Sequence, residues 1–181
     1  MKEDIRSKLS RTIIKNALLE LLKRKSIYDI TVKELCDAAD INRSTFYRHY
    51  NNISDVMDEI TDNISGVIAK VNEWSIQDPN NALNYIYESL RFLEQHQEYD
   101  SLMVSEHFSF DILFGKLEGT VLKTLATLTN HTGNELNYMV KYILRGTLAI
   151  IREWIKGGRR DSASYIARLI YRVSANAVGS F

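Results

Sequence analysis

Apolar residues recur at helical intervals along most of the chain. In the first of these stretches they form two rows three or four residues apart: Leu9, Ile13, Ala17 and Leu21, and then Ile14, Leu18 and Leu22. Comparable stripes follow over residues 54–74, 80–97, 109–130, 135–156 and 162–177. Because a helix in a globular protein buries one such stripe, this pattern predicts an all-α chain of about nine helices.

Residues that stop helices are rare and mark the predicted connections. The chain has 1 Pro and 8 Gly. The stretch 75–81 around Pro79, the polar segment 130–134 and the pair Gly157-Gly158 are the clearest breaks. Residues 98–108 show no helical period, so we predict an irregular segment there.

Between residues 31 and 49 the pattern shortens into two small pieces. Thr31 and Glu34 have the spacing of a capping box, in which Thr31 accepts a hydrogen bond from the amide of Glu34 while Glu34 reaches back. Asn42 is a good N-cap for a second short helix over residues 43–49. Two short helices joined by three or four residues have the plan of a helix-turn-helix.

The second of these short helices has an apolar back and a front of hydrogen-bond donors. Phe46 and Tyr50 lie four residues apart on one face, and Ile41 precedes them. The opposite face carries six donor residues and no acid: Arg43, Ser44, Thr45, Tyr47, Arg48 and His49. Arginine reads guanine and the other donors bond phosphates, so this face predicts entry into a DNA major groove. An ordinary amphipathic surface helix is the alternative interpretation.

The charge distribution agrees weakly with a basic module that meets a polyanion. Residues 1–50 contain 11 Lys and Arg against 7 Asp and Glu, whereas residues 51–181 contain 12 against 16. The first part therefore carries a net +4 and the second a net −4. A chance fluctuation of surface charge would give the same numbers.

Composition narrows the class of protein further. Cys36 is the single cysteine, so no disulfide can form within the chain, as is usual in a reducing compartment. The charged first residues do not form a signal peptide, and no apolar run reaches the ~18–20 residues of a membrane span. We therefore expect a cytoplasmic protein.

The sequence offers no catalytic or metal-binding motif. His96, His107 and His131 are scattered, without the close spacing of metal ligands. Neither a phosphate-binding glycine loop nor a nucleophile elbow is present. We expect no metal, no cofactor and no enzymatic activity.

The first 55 residues resemble the tetracycline-repressor (TetR) family of bacterial regulators. The resemblance rests on the apolar first helix, on Thr31-Val-Lys-Glu-Leu-Cys-Asp-Ala-Ala, on Ile41 after the turn, and above all on Ser44-Thr-Phe-Tyr-Arg-His-Tyr50. It implies a helix-turn-helix DNA-binding domain over residues 1–52 and a helical ligand-binding and dimerisation domain over 53–181. It also implies a repressor that binds a palindromic operator as a homodimer and is released by a small-molecule effector.

The resemblance also assigns DNA-contacting positions. They are the six donor residues of the second short helix, together with Thr31 and Lys33, which fall where the family contacts the DNA backbone or a base. Asp40 stands where the family usually has Gly, which costs little because Asp tolerates left-handed backbone. Ile53 replaces a Lys that grips a phosphate, so we expect weaker binding or a contact shifted to Asn51 or Asn52.

The end of the chain resembles the last helix pair of the family, which builds a four-helix bundle across a dimer two-fold. The sequence supports this with an apolar stripe on two adjacent helices: Val140, Ile143, Thr147, Ile151, Trp154, Ile166, Leu169, Ile170 and Val173. Gly146 lies inside the first of these helices, and close backbone packing would explain it. Burial of the stripe within one subunit is the alternative.

The family usually senses its effector in the middle of the C-terminal domain. The aromatic residues predicted to line that pocket are Trp74, Tyr85, Phe92, Phe108, Phe110, Phe114 and Tyr138. Phe108 and Phe110 lie in the irregular stretch, where a pocket mouth or lid is expected. Plain core packing is the alternative for each of these residues.

In the mechanism that the resemblance implies, the two recognition helices lie about 34–36 Å apart in successive major grooves. Effector binding moves the long helix over 54–74 and so changes that separation. The rival hypothesis is a diverged regulator controlled by a partner protein. The operator sequence, the regulated genes, the effector and the sign of regulation are left open by the sequence.

Overall fold

The computed structural model describes residues 5–77, 82–108 and 110–179, but not the side chains of residues 67–77, 112, 128 and 178. Within these ranges the chain forms helices and no strand, which confirms the predicted all-α class. The described helices are α1 (Ile5–Leu21), α2 (Val32–Ala38), α3 (Arg43–Tyr47), α4 (Ile53–Gln77), α5 (Ala82–Gln95), α6 (Asp100–Val104), α7 (Asp111–Leu128), α8 (Gly133–Lys156) and α9 (Ala163–Gly179).

Two connections differ from the prediction. Helix α4 continues to Gln77, past the start of the loop expected at residue 75, and Pro79 lies outside the described residues. The stretch expected to be irregular contains a 3-10 turn, Gln97–Tyr99, followed directly by α6. Tyr99, Leu102 and Met103 anchor this short segment by burial. Five helical residues are too few for an apolar period to be recognised in the sequence.

The chain divides into two compact units. The first comprises Met1–Asn63 with Ser105–Ser109, and the second comprises Ile64–Val104 with Phe110–Phe181. The division thus falls inside α4 rather than before it, and a short segment from later in the chain joins the first unit. The functional boundary between residues 52 and 53 stays a prediction, because compactness does not test which residues bind DNA.

The core of the first unit uses the inner apolar row of α1. Ile14, Leu18 and Leu22 are fully buried, but Leu9 of the outer row is 60% exposed. The buried face of α1 is therefore narrower than the sequence pattern indicates. From the other helices the same unit buries Leu35, Phe46, Val56, Met57 and Ile60.

The segment Ser105–Ser109, which we call the strap, is fixed to the first unit at two described residues. The Ser105 hydroxyl is buried and donates to the carbonyl oxygen of Leu22 at 2.9 Å, and it accepts from the amide of His107 at 3.1 Å. Phe108 is 4% exposed and adds apolar burial. Buried polar groups need such partners, so the hydroxyl favours this one position of the strap.

A carboxylate on α4 connects three elements of the first unit. Glu59 accepts from Arg11 at 2.9 Å and from Lys15 at 3.0 Å, both on α1. It also accepts from the Tyr50 hydroxyl, just after α3, at 2.8 Å. The Arg11 guanidinium carbon lies 5.7 Å from the centroid of the Tyr50 ring, close enough for a cation–π contact.

These contacts shift the pKa values of both acidic partners. Burial raises the pKa of Glu59, but hydrogen bonds from Lys15 and Tyr50 and the charges of Lys15 and Arg11 outweigh it, so the net pKa is lowered. Burial, followed by the hydrogen bond and charge of Glu59, raises the pKa of Tyr50. The two groups therefore stay as carboxylate and phenol near neutral pH.

The second unit packs α5 against α9 and closes α8 with a tight turn. Its core contains Leu90, Trp154, Ala163, Ile166, Ala167 and Ile170. The amide of Gly158 bonds the Ile155 carbonyl at 2.9 Å and that of Arg159 bonds the Trp154 carbonyl at 2.9 Å, a Schellman pattern. Gly158 has φ 75°, which favours glycine at this position, and Arg159 forms an ion pair with Asp100.

Gly146 is not closely packed within its own subunit, and the close packing expected across a dimer stays a prediction. A Cβ atom built at this position meets no atom within 4 Å of its own chain. Close packing against another helix of the same subunit is therefore not the reason for glycine there.

We predict that Glu59→Gln lowers the free energy of unfolding by about 1–2 kcal/mol at pH 7, between the values for exposed and buried ion pairs. Because the folded pKa of Glu59 is lowered, its stabilisation is present above the unfolded pKa of about 4.3 and is lost as the pH falls through the folded value. Urea unfolding of both proteins at pH 7 and at about pH 3.5 measures the difference, which we expect to shrink at the lower pH.

Glu20→Gln is the control, because its ion pair with Lys23 is largely exposed and contributes little. An equal stability loss at both pH values, or a loss no larger than that of Glu20→Gln, would contradict a structural role for the Glu59 carboxylate.

Candidate functional site

Helix α2 is the first of the two short helices of the helix-turn-helix, and contacts at its N-terminus fix where it begins. The Thr31 hydroxyl accepts from the amide of Glu34 at 3.2 Å, which confirms the predicted N-cap. The Glu34 carboxylate pairs with Lys25 at 2.7 Å, however, so no reciprocal bond to Thr31 completes the capping box. This pair connects the start of α2 to the segment after α1.

The geometry of the turn after α2 explains why Asp40 can stand where the family usually has Gly. The amide of Asp40 bonds the Asp37 carbonyl at 3.4 Å and that of Ile41 bonds the Cys36 carbonyl at 3.0 Å, again a Schellman pattern. Asp40 has φ 51° in the left-handed position of this motif. Aspartate reaches this conformation more readily than most residues, so the turn forms without the usual glycine.

Helix α3 is held from behind by two aromatic side chains. Phe46 is fully buried and Tyr50 is 5% exposed, as the four-residue spacing predicts, while Ile41 is half-buried. Asn42 occupies the N-cap position, but its side chain makes no capping hydrogen bond, which corrects that part of the prediction. A five-residue helix is not stable alone, so these aromatic contacts fix its position.

The predicted donor face is accessible over most of its length. Arg43, Ser44 and Arg48 are exposed, and Tyr47 retains 56% of its accessible surface. Thr45 and His49 are half-buried. Thr31 and Lys33, at the start of α2, are both exposed. The structure thus leaves these side chains accessible to a ligand, and their contacts with DNA stay predictions.

The surroundings of His49 change the pKa of its imidazole. Burial, followed by the positive charges of Arg11 and Arg48, lowers its pKa. Its imidazole is therefore neutral near pH 7 and offers a hydrogen bond rather than a charge.

The asparagines before α4 have a structural role. The backbone amide and side-chain amide of Asn51 donate to Asp55 at 2.7 and 2.9 Å, and the amide of Asp55 donates to the Asn52 side chain at 3.0 Å. These bonds, with the one from the Asn51 backbone largest, lower the pKa of Asp55. Ile53 is half-buried beside them. The Asn51 side chain, one of the two expected to replace the missing lysine at a phosphate, is thus already engaged.

The second unit contains a cavity of about 740 Å³ between its helices. Four of the aromatic residues predicted from the sequence line it: Tyr85, Phe92, Phe110 and Phe114. Its wall is mostly aliphatic and includes Leu90, Leu93, Leu113, Leu117, Val121 and Leu148. The volume lies within the roughly 300–1,000 Å³ range of small-molecule sites.

Three other residues predicted for the pocket do not contribute described side chains to the cavity. Phe108 belongs to the core of the first unit, where the strap places it. Tyr138 is 70% exposed, because it points away from the buried face of α8. The side chain of Trp74 lies outside the described residues.

The cavity wall also includes polar groups that the sequence did not single out. Ser89, Thr124, Thr129, Asn130 and His131 belong to it. His131 contacts the Glu135 carboxylate through Nδ1 at 3.1 Å. No sequence period marks these residues, because three of them lie at the connection between α7 and α8.

Most residues of the apolar stripe predicted for a dimer face their own subunit. Val140, Trp154, Ile166 and Ile170 are at most 5% exposed, and Ile143, Thr147 and Ile151 line the cavity. Leu169 is half-buried and Val173 is 41% exposed. Burial within the subunit, the alternative interpretation, thus applies to the four buried residues, and dimer contacts of the other five stay predictions.

Other large apolar residues are exposed on α8 and α9. Tyr138 and Tyr142 are 70% and 60% exposed on α8, and Tyr165 is 49% exposed on α9. Exposed aromatic side chains on adjacent helices are common at protein interfaces. The helical phase of Tyr138 and Tyr142, opposite to the apolar stripe of α8, is the sequence signal that identifies these two.

Two absences hold for the described parts of the chain. Within them, no cluster of His, Cys, Asp and Glu has the size and proximity that a metal ion requires. None of the helices described has the length and apolarity needed to cross a membrane.

Comparisons with known proteins agree with the helix-turn-helix geometry. Residues 14–60 match the model of the bacterial regulatory proteins of the tetR family. YxbF of Bacillus subtilis (strain 168), described as an uncharacterized HTH-type transcriptional regulator, is 24% identical over 166 residues, or 88% of this chain and 43% of that protein. The chain thus spans less than half the length of this curated relative.

Solved structures share the fold over nearly the whole chain. A TetR transcriptional regulator from Streptococcus agalactiae 2603V aligns with a TM-score of 0.65 at 18% identity, covering 94% of this chain and 96% of that one. The dihydroxyacetone kinase operon activator DhaS aligns with a TM-score of 0.53 at 22% identity, covering 95% and 97%. Residues 14–60 thus match the helix-turn-helix segment of the tetR family, and the chain as a whole shares the fold of solved structures described as TetR-family regulators.

Proposed function

We propose that the chain is a repressor that binds a palindromic operator as a homodimer and leaves it when a small molecule fills the cavity. The observation that carries the DNA-binding part is α3, a short helix anchored by Phe46 and Tyr50 with exposed donors on its other side. In this account Arg43 and Arg48 meet base edges or phosphates, and the hydroxyls of Ser44, Thr45 and Tyr47 bond phosphates. The site of action is the bacterial cytoplasm, where the DNA is.

Repression follows from occupancy, because a dimer bound across a promoter is sufficient to exclude another protein. The similar structure DhaS is named an operon activator, so the fold is compatible with either sign. A promoter-reporter assay with and without the protein decides between them.

The proposed dimer uses the exposed surfaces of α8 and α9 rather than their buried stripe. Tyr138, Tyr142 and Tyr165 supply large amphipathic side chains there. Such aromatics contribute most where an interface excludes water. A two-fold symmetric pair would place two copies of α3 in successive major grooves.

The proposed effector is a predominantly apolar molecule with at least one hydrogen-bonding group. Aliphatic and aromatic residues make up most of the cavity wall, and Ser89, Thr124 and Thr129 provide hydroxyls. Burying apolar surface of the ligand supplies affinity, and the few polar groups orient it.

Replacing Tyr47 and Arg48 together with alanine tests the DNA-binding proposal. We expect the dissociation constant for a bound fragment to rise at least about 30-fold, because two direct contacts of roughly 1–3 kcal/mol each are lost. The affinity should also become less dependent on salt as a phosphate contact is lost. Fluorescence anisotropy on a labelled DNA fragment at several salt concentrations measures both effects.

The matched control is a double variant, Tyr28→Ala with Arg91→Ala. It removes an exposed tyrosine and an exposed arginine that lie outside α3. This control should bind DNA as the unchanged protein does. The proposal fails if the Tyr47 and Arg48 variant, shown by circular dichroism to be folded, binds the fragment as tightly as the control.

Ile53→Lys restores the phosphate-binding residue that the family resemblance implies. We expect affinity for DNA to increase by up to about tenfold and the slope of log affinity on log salt to steepen by roughly 1, as one more phosphate is neutralised. The same anisotropy titration measures this change. An affinity and a salt slope equal to those of the unchanged protein would exclude a phosphate near this position.

Tyr142→Asp tests the dimer surface. We expect the unchanged chain to have twice its 20.9 kDa mass in solution, and the variant to dissociate at concentrations at least about tenfold higher, because the new charge would be buried unpaired. Sedimentation equilibrium gives both values, and Tyr28→Asp is the control at an exposed tyrosine of the first unit. An unchanged dimer in the Tyr142 variant would place the interface elsewhere.

A further inference from the structure

Arg152 of α8 contacts residues on both sides of the strap. Its Nε–H donates to the carbonyl oxygen of Met103 at 2.7 Å. Its guanidinium carbon lies 4.9 Å from the centroid of the Phe110 ring. Met103 lies two residues before the strap and Phe110 directly after it. One side chain therefore contacts the chain before and after a five-residue segment.

Each of these contacts has a local physical reason. Met103 is in the last turn of α6, where carbonyl groups lack helical partners and attract a positive charge. Phe110 is the residue before α7, and its ring packs on that of Phe114 with centroids 6.0 Å apart as well as on the Arg152 guanidinium. A charged hydrogen bond and a cation–π contact are each stronger where water is partly excluded. Met103 and Phe110 are both buried, which provides such a setting.

The same two residues are part of the cavity wall. Met103 and Phe110 line it, as does Ile151, the neighbour of Arg152 in α8. A molecule bound in this region of the cavity would contact residues that Arg152 also contacts. The cavity wall and the Arg152 contacts thus share Met103 and Phe110.

The strap itself belongs to the first unit, which contains the helix-turn-helix segment and is called the DNA-binding unit from here on. Ser105 bonds the carbonyl that follows α1, and Phe108 is buried within that unit. A change in the position of Met103 or Phe110 passes along the chain to the strap within two residues. This connection along the chain is separate from α4, the helix whose residues are divided between the two units.

We propose that Arg152 is a positioning residue that keeps the strap docked while the cavity is empty and releases it when a ligand moves Met103 or Phe110. The regulatory part of this proposal rests on the proposed function, in which the cavity binds an effector. The clamping part does not, since it concerns the protein without ligand.

Arg145 provides a matched control on the same helix. Its guanidinium carbon lies 5.2 Å from the centroid of the Phe114 ring, which also lines the cavity, and it pairs with Asp111 at 3.2 Å. Arg145 and Arg152 thus each stack on a phenylalanine of the cavity wall, and the two phenylalanines are close in the sequence. Arg152 bonds a carbonyl just before the strap, whereas Arg145 bonds a side chain of α7. A general effect of removing an arginine from α8 would be equal in both variants.

Hydrogen exchange of the full chain without ligand tests the clamp. In Arg152→Gln we expect amides of the strap, including that of His107, to exchange at least about tenfold faster relative to amides of α1, because a charged hydrogen bond is lost. In Arg145→Gln we expect the ratio to stay within about twofold of the unchanged protein. Arg152→Lys, which keeps the charge and approximate length, should lie between the two.

Normalising to α1 separates local release of the strap from general loss of stability, which would accelerate both segments. A strap-to-α1 ratio that stays the same in Arg152→Gln, or rises equally in Arg145→Gln, overturns the proposal. If Arg152→Gln does not fold, Arg152→Lys takes its place, and an unchanged ratio in that variant overturns the proposal.

A second measurement examines regulation with a defined apolar probe, N-phenyl-1-naphthylamine. The dissociation constant of the probe is measured with and without saturating DNA. By thermodynamic linkage, the ratio of these two constants equals the factor by which the probe changes the affinity for DNA. We expect this ratio to fall towards 1 in Arg152→Gln, with probe affinity itself changed by less than about threefold, and to persist in Arg145→Gln. Persistence in Arg152→Gln would overturn the regulatory part.

The two measurements also distinguish the two proposals. A ratio of about 1 in the unchanged protein, together with faster exchange of the strap in Arg152→Gln, would count against control by an apolar effector and leave the clamp standing. Normal exchange of the strap in Arg152→Gln would remove the clamp whether or not the probe affects DNA binding.

Discussion

Glu59 receives hydrogen bonds from Arg11 and Lys15 of α1 and from the hydroxyl of Tyr50, the residue that anchors the end of α3. A carboxylate with three donors is strongly favoured in its charged form, and here it connects α1, α4 and the segment after α3. Because α3 has only five residues, its own hydrogen bonds cannot hold it in place. The position of the side chains predicted to contact DNA therefore depends on Phe46, Tyr50 and this carboxylate.

This arrangement separates the two faces of α3 by function. The buried face is satisfied within the unit: Phe46 packs in the core and the Tyr50 hydroxyl has its acceptor. The exposed face keeps Arg43, Tyr47 and Arg48 unburied, so binding DNA does not require breaking the anchoring contacts. A preorganised set of donors loses less conformational entropy on binding than a mobile one.

The sequence predicted local features well because their causes are local. The cap at Thr31, the left-handed residue at Asp40 and the shared face of Phe46 and Tyr50 each depend on residues within five positions. The Glu59 contacts could not be predicted this way, since Arg11 lies 48 residues earlier in the chain. The strap is a similar case: the buried bond between Ser105 and Leu22 joins residues 83 positions apart.

The stripe on α8 and α9 shows a different limit. Periodicity correctly identified two amphipathic helices, but it does not say whether an apolar face meets its own subunit or another. In the structure Trp154 and Ile170 pack within the subunit, and the exposed surface includes tyrosines such as Tyr142. Phe108 was likewise expected at the pocket, but it is buried in the DNA-binding unit, a contact that no local pattern indicates.

Selection of bound fragments from a pool of random DNA tests the central claim most directly, because it assumes no operator. If the acid-free face of α3 reads DNA in a symmetric dimer, the recovered fragments share an inverted repeat with half-site centres about one helical turn, or about 10 base pairs, apart. The account would be contradicted if the recovered fragments shared no sequence and their amount equalled that recovered from the same pool without protein.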